Sequence, residues 1–285
     1  LETLRTLPGA SAGDPESRDR FLREIRIHTR LAHPNIAAFH DAFELDGQLV
    51  MTAEYVGGST LSQLCAGNPL PAPEAIRIVC EVLSALEEAH ALGIVHRAIT
   101  ADHVHITPSG HVKLDGFGLA KPASDLHLTQ TGSVLGDPRY ISPEQVMGVQ
   151  PLDARSDLYS VAIVLYQALT GRVPFDSANE FDIMVEQVRT IPRRPSELNP
   201  AIPPSLDSLV LTMLAKQPEG RIPTARAFHD FLAAFLASAP PQPPPPAVLK
   251  PLPIAQALHL PRPLLVLGTI SLTIILTVIL YVTLH

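Results

Sequence analysis

Residues 264–284, LLVLGTISLTIILTVILYVTL, carry no charged side chain. This stretch limits the fold more than any other part of the chain. About 20 apolar residues span the hydrocarbon core of a bilayer, and no polar face is left to meet water. A single transmembrane helix is expected over 264–284. Residues 239–263 ahead of it are dense in proline, which removes backbone donors and holds a chain extended. They read as a semi-rigid juxtamembrane linker, with an SH3-type ligand as the alternative. A globular fold is therefore confined to residues 1–238. Lys250 and Arg262 precede the apolar stretch and no Lys or Arg follows it. The positive-inside rule then puts the globular part in the cytoplasm.

The net charge of −7 argues against nucleic acid as a partner, since nucleic-acid binding needs a basic face. Cys65 and Cys80 form no CxxC pair, so neither a disulfide framework nor a zinc site is indicated. Leu1 stands where a Met would begin a chain, and no signal peptide precedes the first polar segment. The start is read as truncated or processed.

Within 1–238, residues 1–7 and 48–55 read as strands flanking a helix over about 14–31. Phe21, Leu22, Ile25 and His28 to Leu31 form its apolar stripe. A second helix is expected over 73–92, where Ile76, Val79, Cys80, Leu83 and Leu86 recur at helical spacing. Residues 103–107 and 111–114 form a hairpin across Pro108-Ser109-Gly110. Further helices are expected over about 157–170, 178–189, 204–216 and 224–237. No internal repeat is present.

Several motifs occur in one order. ETLRTLP is followed by RFLREIRIHTRLAHPNI, then EYVGGSTL, HRAITADHV, GFG (116–118), GDPRYISPEQ, SDLYSVAIVLYQALTGRVPF and KQPEGRIPTARAF. Together they resemble the bacterial receptor-type Ser/Thr protein kinases over residues 1 to about 237. The resemblance implies an α+β, bilobal protein-kinase-like fold. Its small, β-rich N-lobe (about 1–55) is incomplete, because the glycine-rich loop that covers ATP phosphates would lie upstream of residue 1. Its larger helical C-lobe spans about 56–238.

The same resemblance assigns roles position by position, and the catalytic ones are all altered. The catalytic-loop Asp, which accepts the substrate hydroxyl proton, is Ala98. The Lys that steadies the transferred phosphate is Thr100. The magnesium-holding Asn is His103, and an imidazole is a poor ligand for so hard an ion. The Asp of Asp-Phe-Gly, the main magnesium ligand, is Gly116. Arg5 stands for the strand lysine and keeps the charge without the compact ammonium. Its expected partner Glu24 is present. The nucleotide cleft would be built from Arg5, Glu24, Glu54, Val56 and His105, with Thr3 and His105 in place of apolar residues and Ala53 as a small residue before the hinge. Weak or absent nucleotide binding is expected.

The structural skeleton is kept. Glu144 and Arg221 match a buried ion pair, and Asp157 matches the acid that orients the catalytic loop. His28, Phe39, Phe117 and His96 match a stack joining the lobes. Arg97 could grip a phosphate on the activation loop, where Thr129 and Thr131 are candidate phosphosites. Asp137 replaces a substrate-loop Thr. His103, His105 and His111 raise the idea of a zinc site, but no carboxylate support accompanies them, and no metal is expected.

These residues imply a pseudokinase. It would be a membrane-anchored signalling or scaffolding module for protein partners, an active kinase of the same family among them, with no cofactor. The alternative is an active Ser/Thr kinase using ATP and magnesium through the displaced acids Asp115 or Asp102. A third class is a small-molecule sensor built on the remodelled cleft.

Overall fold

The computed structural model describes residues 2–6, 15–46, 48–117, 121–122 and 136–238; at Arg5, 15–17, Arg20, 121–122 and Ser238 it describes the backbone alone. Strand β1 (Glu2–Thr6) is followed by helix α1 (Pro15–His28) and the hairpin β2 (Phe39–Leu45) and β3 (Gln48–Glu54). The three strands make an antiparallel sheet in the order β1-β3-β2, with Arg5 opposite Met51 and Phe39 opposite Ala53. Helix α1 buries Phe21 against Leu49 and Met51, with Leu22, Ile25 and Phe39 at the margin. This is a small core of its own. The sequence pattern predicts α1 to run to residue 31, but it ends at His28. There the N–H groups of Thr29, Arg30 and Leu31 fold back onto the carbonyls of Ile25, Ile27 and His28. Pro34 follows, and a proline disfavours helical conformation in the residue before it.

After the sheet the chain is mainly helical. Strand β4 (Ser59–Thr60) leads into α2 (Leu61–Cys65), then α3 (Ala72–Ala91), β5 (Ile94–Val95), β6 (Val104–Ile106), β7 (Val112–Leu114) and β8 (Lys121–Pro122). Next come α4 (Pro143–Val146), α5 (Ala154–Thr170), α6 (Glu180–Arg189), α7 (Pro195–Leu198), α8 (Pro204–Met213) and α9 (Ala225–Ser238). Helix α3 buries Ile76, Val79, Leu83 and Leu86 in the main core. Helix α5 is apolar almost all round, as a central helix must be, and is buried from Ser156 to Tyr166 without a break. Asp153 accepts the N–H of Arg155 and so starts α5 at Ala154, three residues ahead of the sequence expectation of 157. Gly171, with φ of 77°, ends it in the left-handed conformation that glycine takes freely.

Sheet and helical region meet through the His33–Ile36 segment. Leu114 N–H donates to Asn35 O (2.8 Å) and Ala37 N–H to Leu114 O (3.0 Å). The Asn35 amide donates to Glu81 (2.9 Å) and to Val112 O (2.8 Å). Among the described residues no helix is long and apolar enough to cross a membrane. The linker at 239–263, the apolar stretch at 264–284, and Thr129 and Thr131 all lie outside the described residues.

Candidate functional site

Asp157, in the first turn of α5, organises the loop after β5. It is fully enclosed and its carboxylate accepts three hydrogen bonds. These come from His96 N–H (2.9 Å), Arg97 N–H (2.8 Å) and His90 Nε2 (2.8 Å). Burial pushes the Asp157 carboxyl up, but the bond from His90, its charge and the neighbouring donors outweigh that and hold it below the ordinary range. Arg97 has φ of 69°. A non-glycine residue holds that conformation only where its surroundings fix it, and here two successive N–H groups converge on one acid. The Gln145 amide also clamps Arg97 O (2.9 Å). His96 donates from Nε2 to Asp115 O (2.8 Å) and accepts Ala98 N–H at Nδ1 (3.3 Å). That pairing is the neutral tautomer, and burial lowers the His96 pKa accordingly.

Ala98 is buried, and its carbonyl accepts from His103 Nδ1 (2.7 Å). Thr100 Oγ1 lies 3.2 Å from the same nitrogen and accepts the His103 N–H at 3.3 Å. These bonds turn the His103 ring inward onto Gly116, which has φ of 84°. A Cβ built on Gly116 would meet the ring at 2.6 Å from Cδ2 and 2.8 Å from Cγ and Nε2. The imidazole thus occupies the room a side chain at 116 would need. Beside Ala98, Thr100 and Asp137 lies a cavity of about 10 Å³, roughly the space of one water. Asp137 is tied to the Arg139 guanidinium at 3.0 and 3.1 Å from Nε.

The two displaced acids behave differently. Asp115 receives His105 Nε2 at 2.9 Å, and that hydrogen bond raises the His105 pKa against the opposing effect of burial. Asp102 is exposed. His105 is cross-strand neighbour to Lys113, whose ammonium meets Glu54 at 2.8 Å. Glu54 also accepts Ala38 N–H (3.1 Å). Burial pushes the Glu54 carboxyl up, but Lys113 and that N–H together bring it below its ordinary value. Lys113–Glu54 therefore ties β3 to the β6–β7 hairpin, while His105–Asp115 lies within the hairpin. Val56 is half-buried just after β3. Glu24 is buried with His28 Nε2 at 4.0 Å; the Arg5 side chain, its expected partner, lies outside the described residues.

The predicted stack is assembled. Phe39 and His28 stack at 6.4 Å, His28 meets Phe117 edge-on at 5.8 Å, and Phe117 meets His96 at 4.4 Å. Further down, Arg221 donates to both Glu144 oxygens (2.7 and 2.8 Å) and Ser156 Oγ adds a third bond (2.7 Å). Arg221 also donates to the carbonyls of Ala215 and Arg155, and lies over the Tyr159 ring. Burial alone would raise the Glu144 carboxyl; the Arg221 bonds bring it below its ordinary value.

The structure takes the three histidines considered for zinc in separate directions. His103 lies ahead of β6, so its ring follows the loop, while His105 bonds Asp115 and His111 is exposed. Among the described residues no group of three ligands is placed to hold a metal. Sequence reasoning missed His90 and Asn35. His90 continues the buried stripe of Val79, Leu83 and Leu86 at helical spacing, and a polar residue on such a stripe is the signal that could have found it.

A protein kinase domain model matches residues 9–232. The Ser/Thr-protein kinase PksC of Streptomyces coelicolor is 40% identical over 252 residues, covering 84% of this chain and 45% of the relative. PknB of Mycobacterium leprae is 37% identical over 247 residues, covering 85% and 40%. The chain thus spans less than half the length of these two relatives. The kinase domain of Mycobacterium tuberculosis PknI superposes with a TM-score of 0.64 at 30% identity, covering 82% of this chain and 85% of that one.

Proposed function

The chain belongs to the bacterial Ser/Thr protein kinase domain family and has its bilobal fold, and we propose that it is a catalytically impaired member, a pseudokinase that acts by binding protein partners. One observation carries the reading. The His103 ring fills the place beside Gly116 where the magnesium-binding acid would project. The residues present do not fit magnesium there: an alanine, a glycine and an imidazole already bonded to Ala98 O offer no hard oxygen side chain. Asp115, the nearest displaced acid, gives one oxygen to His105 Nε2, and its other oxygen is buried without a hydrogen-bond partner among the described residues; the Asp115→Asn variant below tests whether it serves as a replacement ligand. The ion pairs His105–Asp115 and Lys113–Glu54 would also make a polar floor for an adenine ring.

The remaining parts of the reading rest on the sequence. The uncharged stretch 264–284 anchors the chain in a membrane with the kinase-like domain on the cytoplasmic side. The partners are proteins, an active kinase of the same family foremost, and no cofactor is needed.

The test is thermal unfolding of the purified chain with and without millimolar magnesium-ATP. A site with a dissociation constant of 10 μM would add about 2.7 kcal/mol at a hundredfold excess. The expected result is no magnesium-dependent shift and no transfer from ATP to protein substrate. A magnesium-dependent shift with transfer abolished by Asp115→Asn would establish an active kinase instead.

A further inference from the structure

We propose a ligand site beside His90, the imidazole that bonds Asp157. A cavity of about 400 Å³ opens there between the end of α3 and the first turns of α5 and α9. Small-molecule sites run from about 300 to 1,000 Å³, so one ring system fits. The cavity exists because the residues that meet there are small: Ala91 from α3, Ala154 from α5 and Ala225 from α9. The His90 imidazole forms part of the wall, and its Nε2 is the nitrogen bonded to Asp157. His90 Nδ1 is buried and has no hydrogen-bond partner among the described residues.

The chemistry of the lining selects the ligand. Three alanines, an imidazole face and Thr224, whose hydroxyl already accepts the Ala227 N–H, call for a mainly apolar, flat body. The charged groups that line the opening are one acid and one base, Glu87 and Arg226, 3.3 Å apart, with Asp230 of α9 3.7 Å from the same guanidinium. Both are well exposed, and such pairs are held by about 0–1 kcal/mol, so a ligand can insert between them. A net anion would meet the Glu87 carboxylate and a net cation the Arg226 guanidinium. A neutral group that both donates and accepts satisfies both: its N–H faces Glu87 and its carbonyl faces Arg226. The site therefore takes a neutral, mainly apolar molecule bearing an amide-like group. Its occupant would touch His90, one hydrogen bond from the acid that holds His96 and Arg97.

The probe is benzamide, titrated to about 10 mM, the range expected of so small a ligand. It would be added to the full chain labelled at alanine methyls and histidine rings and followed by NMR. The expected result is saturable movement of the Ala91, Ala154, Ala225 and His90 signals. Benzoate and benzylamine should bind at least about tenfold more weakly, and Ala154→Leu, which fills the cavity from a half-exposed position, should abolish the movement. Absence of saturable movement, survival of binding in Ala154→Leu, or preference for either charged analogue would overturn the proposal. None of these readouts depends on nucleotide binding, so the site stands or falls apart from the pseudokinase reading.

Discussion

Gly116→Asp is the substitution that would restore the family's magnesium ligand, and the structure predicts that alone it damages the fold. The new Cβ would lie 2.6–2.8 Å from three atoms of the His103 ring, closer than real carbon contacts allow. The ring has no free retreat, because Nδ1 is held by Ala98 O at 2.7 Å. Overpacking of this kind costs about 1–3 kcal/mol. Breaking the ring's hydrogen bond to escape it forfeits about 0.5–1.5 kcal/mol. Gly116 also has φ of 84°, where an L-residue pays about 1–2 kcal/mol more. Gly116→Asp should therefore lose about 2–5 kcal/mol. His103→Asn removes the ring, so in the double variant the clash and the broken bond disappear and only the backbone term remains. Urea unfolding of the parent, the two single variants and the double variant gives the coupling. It should be about 1–3 kcal/mol in favour of the double variant. Losses that add to within about 0.5 kcal/mol, the tolerance for independent sites, would mean that His103 does not occupy the place of the missing acid.

Other outcomes follow from the same contacts. Glu144→Ala leaves Arg221 buried without its carboxylate and should cost about 3–5 kcal/mol in denaturant unfolding. Asp157 and Glu144 both have lowered carboxyl pKa values in the fold. Their contribution should be complete above the unfolded carboxylate pKa of about 4 and be lost as pH falls through the folded values, which a thermal-unfolding series from pH 6 downwards measures. Burial brings the Lys216 ammonium down to about 8. The penalty for its charge should therefore ease as pH rises from about 8 towards the unfolded value near 10.4, and Lys216→Met should flatten that part of the stability profile.

The long elements were legible because their periodicity repeats. Helix α3 shows five apolar positions at helical spacing, of which Ile76, Val79, Leu83 and Leu86 are buried and Cys80 is half-buried. Two short helices carried local signals that periodicity cannot register. Thr60 and Gln63 form a capping box at α2, and Ser142 and Gln145 form one at α4. Other features have no local signature. Asn35 reaches Glu81 and Val112 across 46 and 77 residues, and no spacing rule reports such a contact. The sequence put His103 on a strand face with His105; β6 begins one residue later, at Val104, and that single residue turns the ring from a shared face onto Gly116.

The replaced and the retained positions differ in what they do for folding. Asp157, Glu144 and Arg221 each satisfy several buried groups at once, so losing one strands the others. Acids at 98 and 116 would do the opposite. Two carboxylates sharing a small site repel one another unless a cation lies between them. Alanine and glycine at those positions remove the repulsion. His103 then uses the released room for a neutral ring that bonds Ala98 O and packs on Gly116. The result is a catalytic loop held by Asp157 and filled from within by His103. A domain that must present a fixed surface to a protein partner gains from that arrangement, whereas a domain that must open and close on ATP does not.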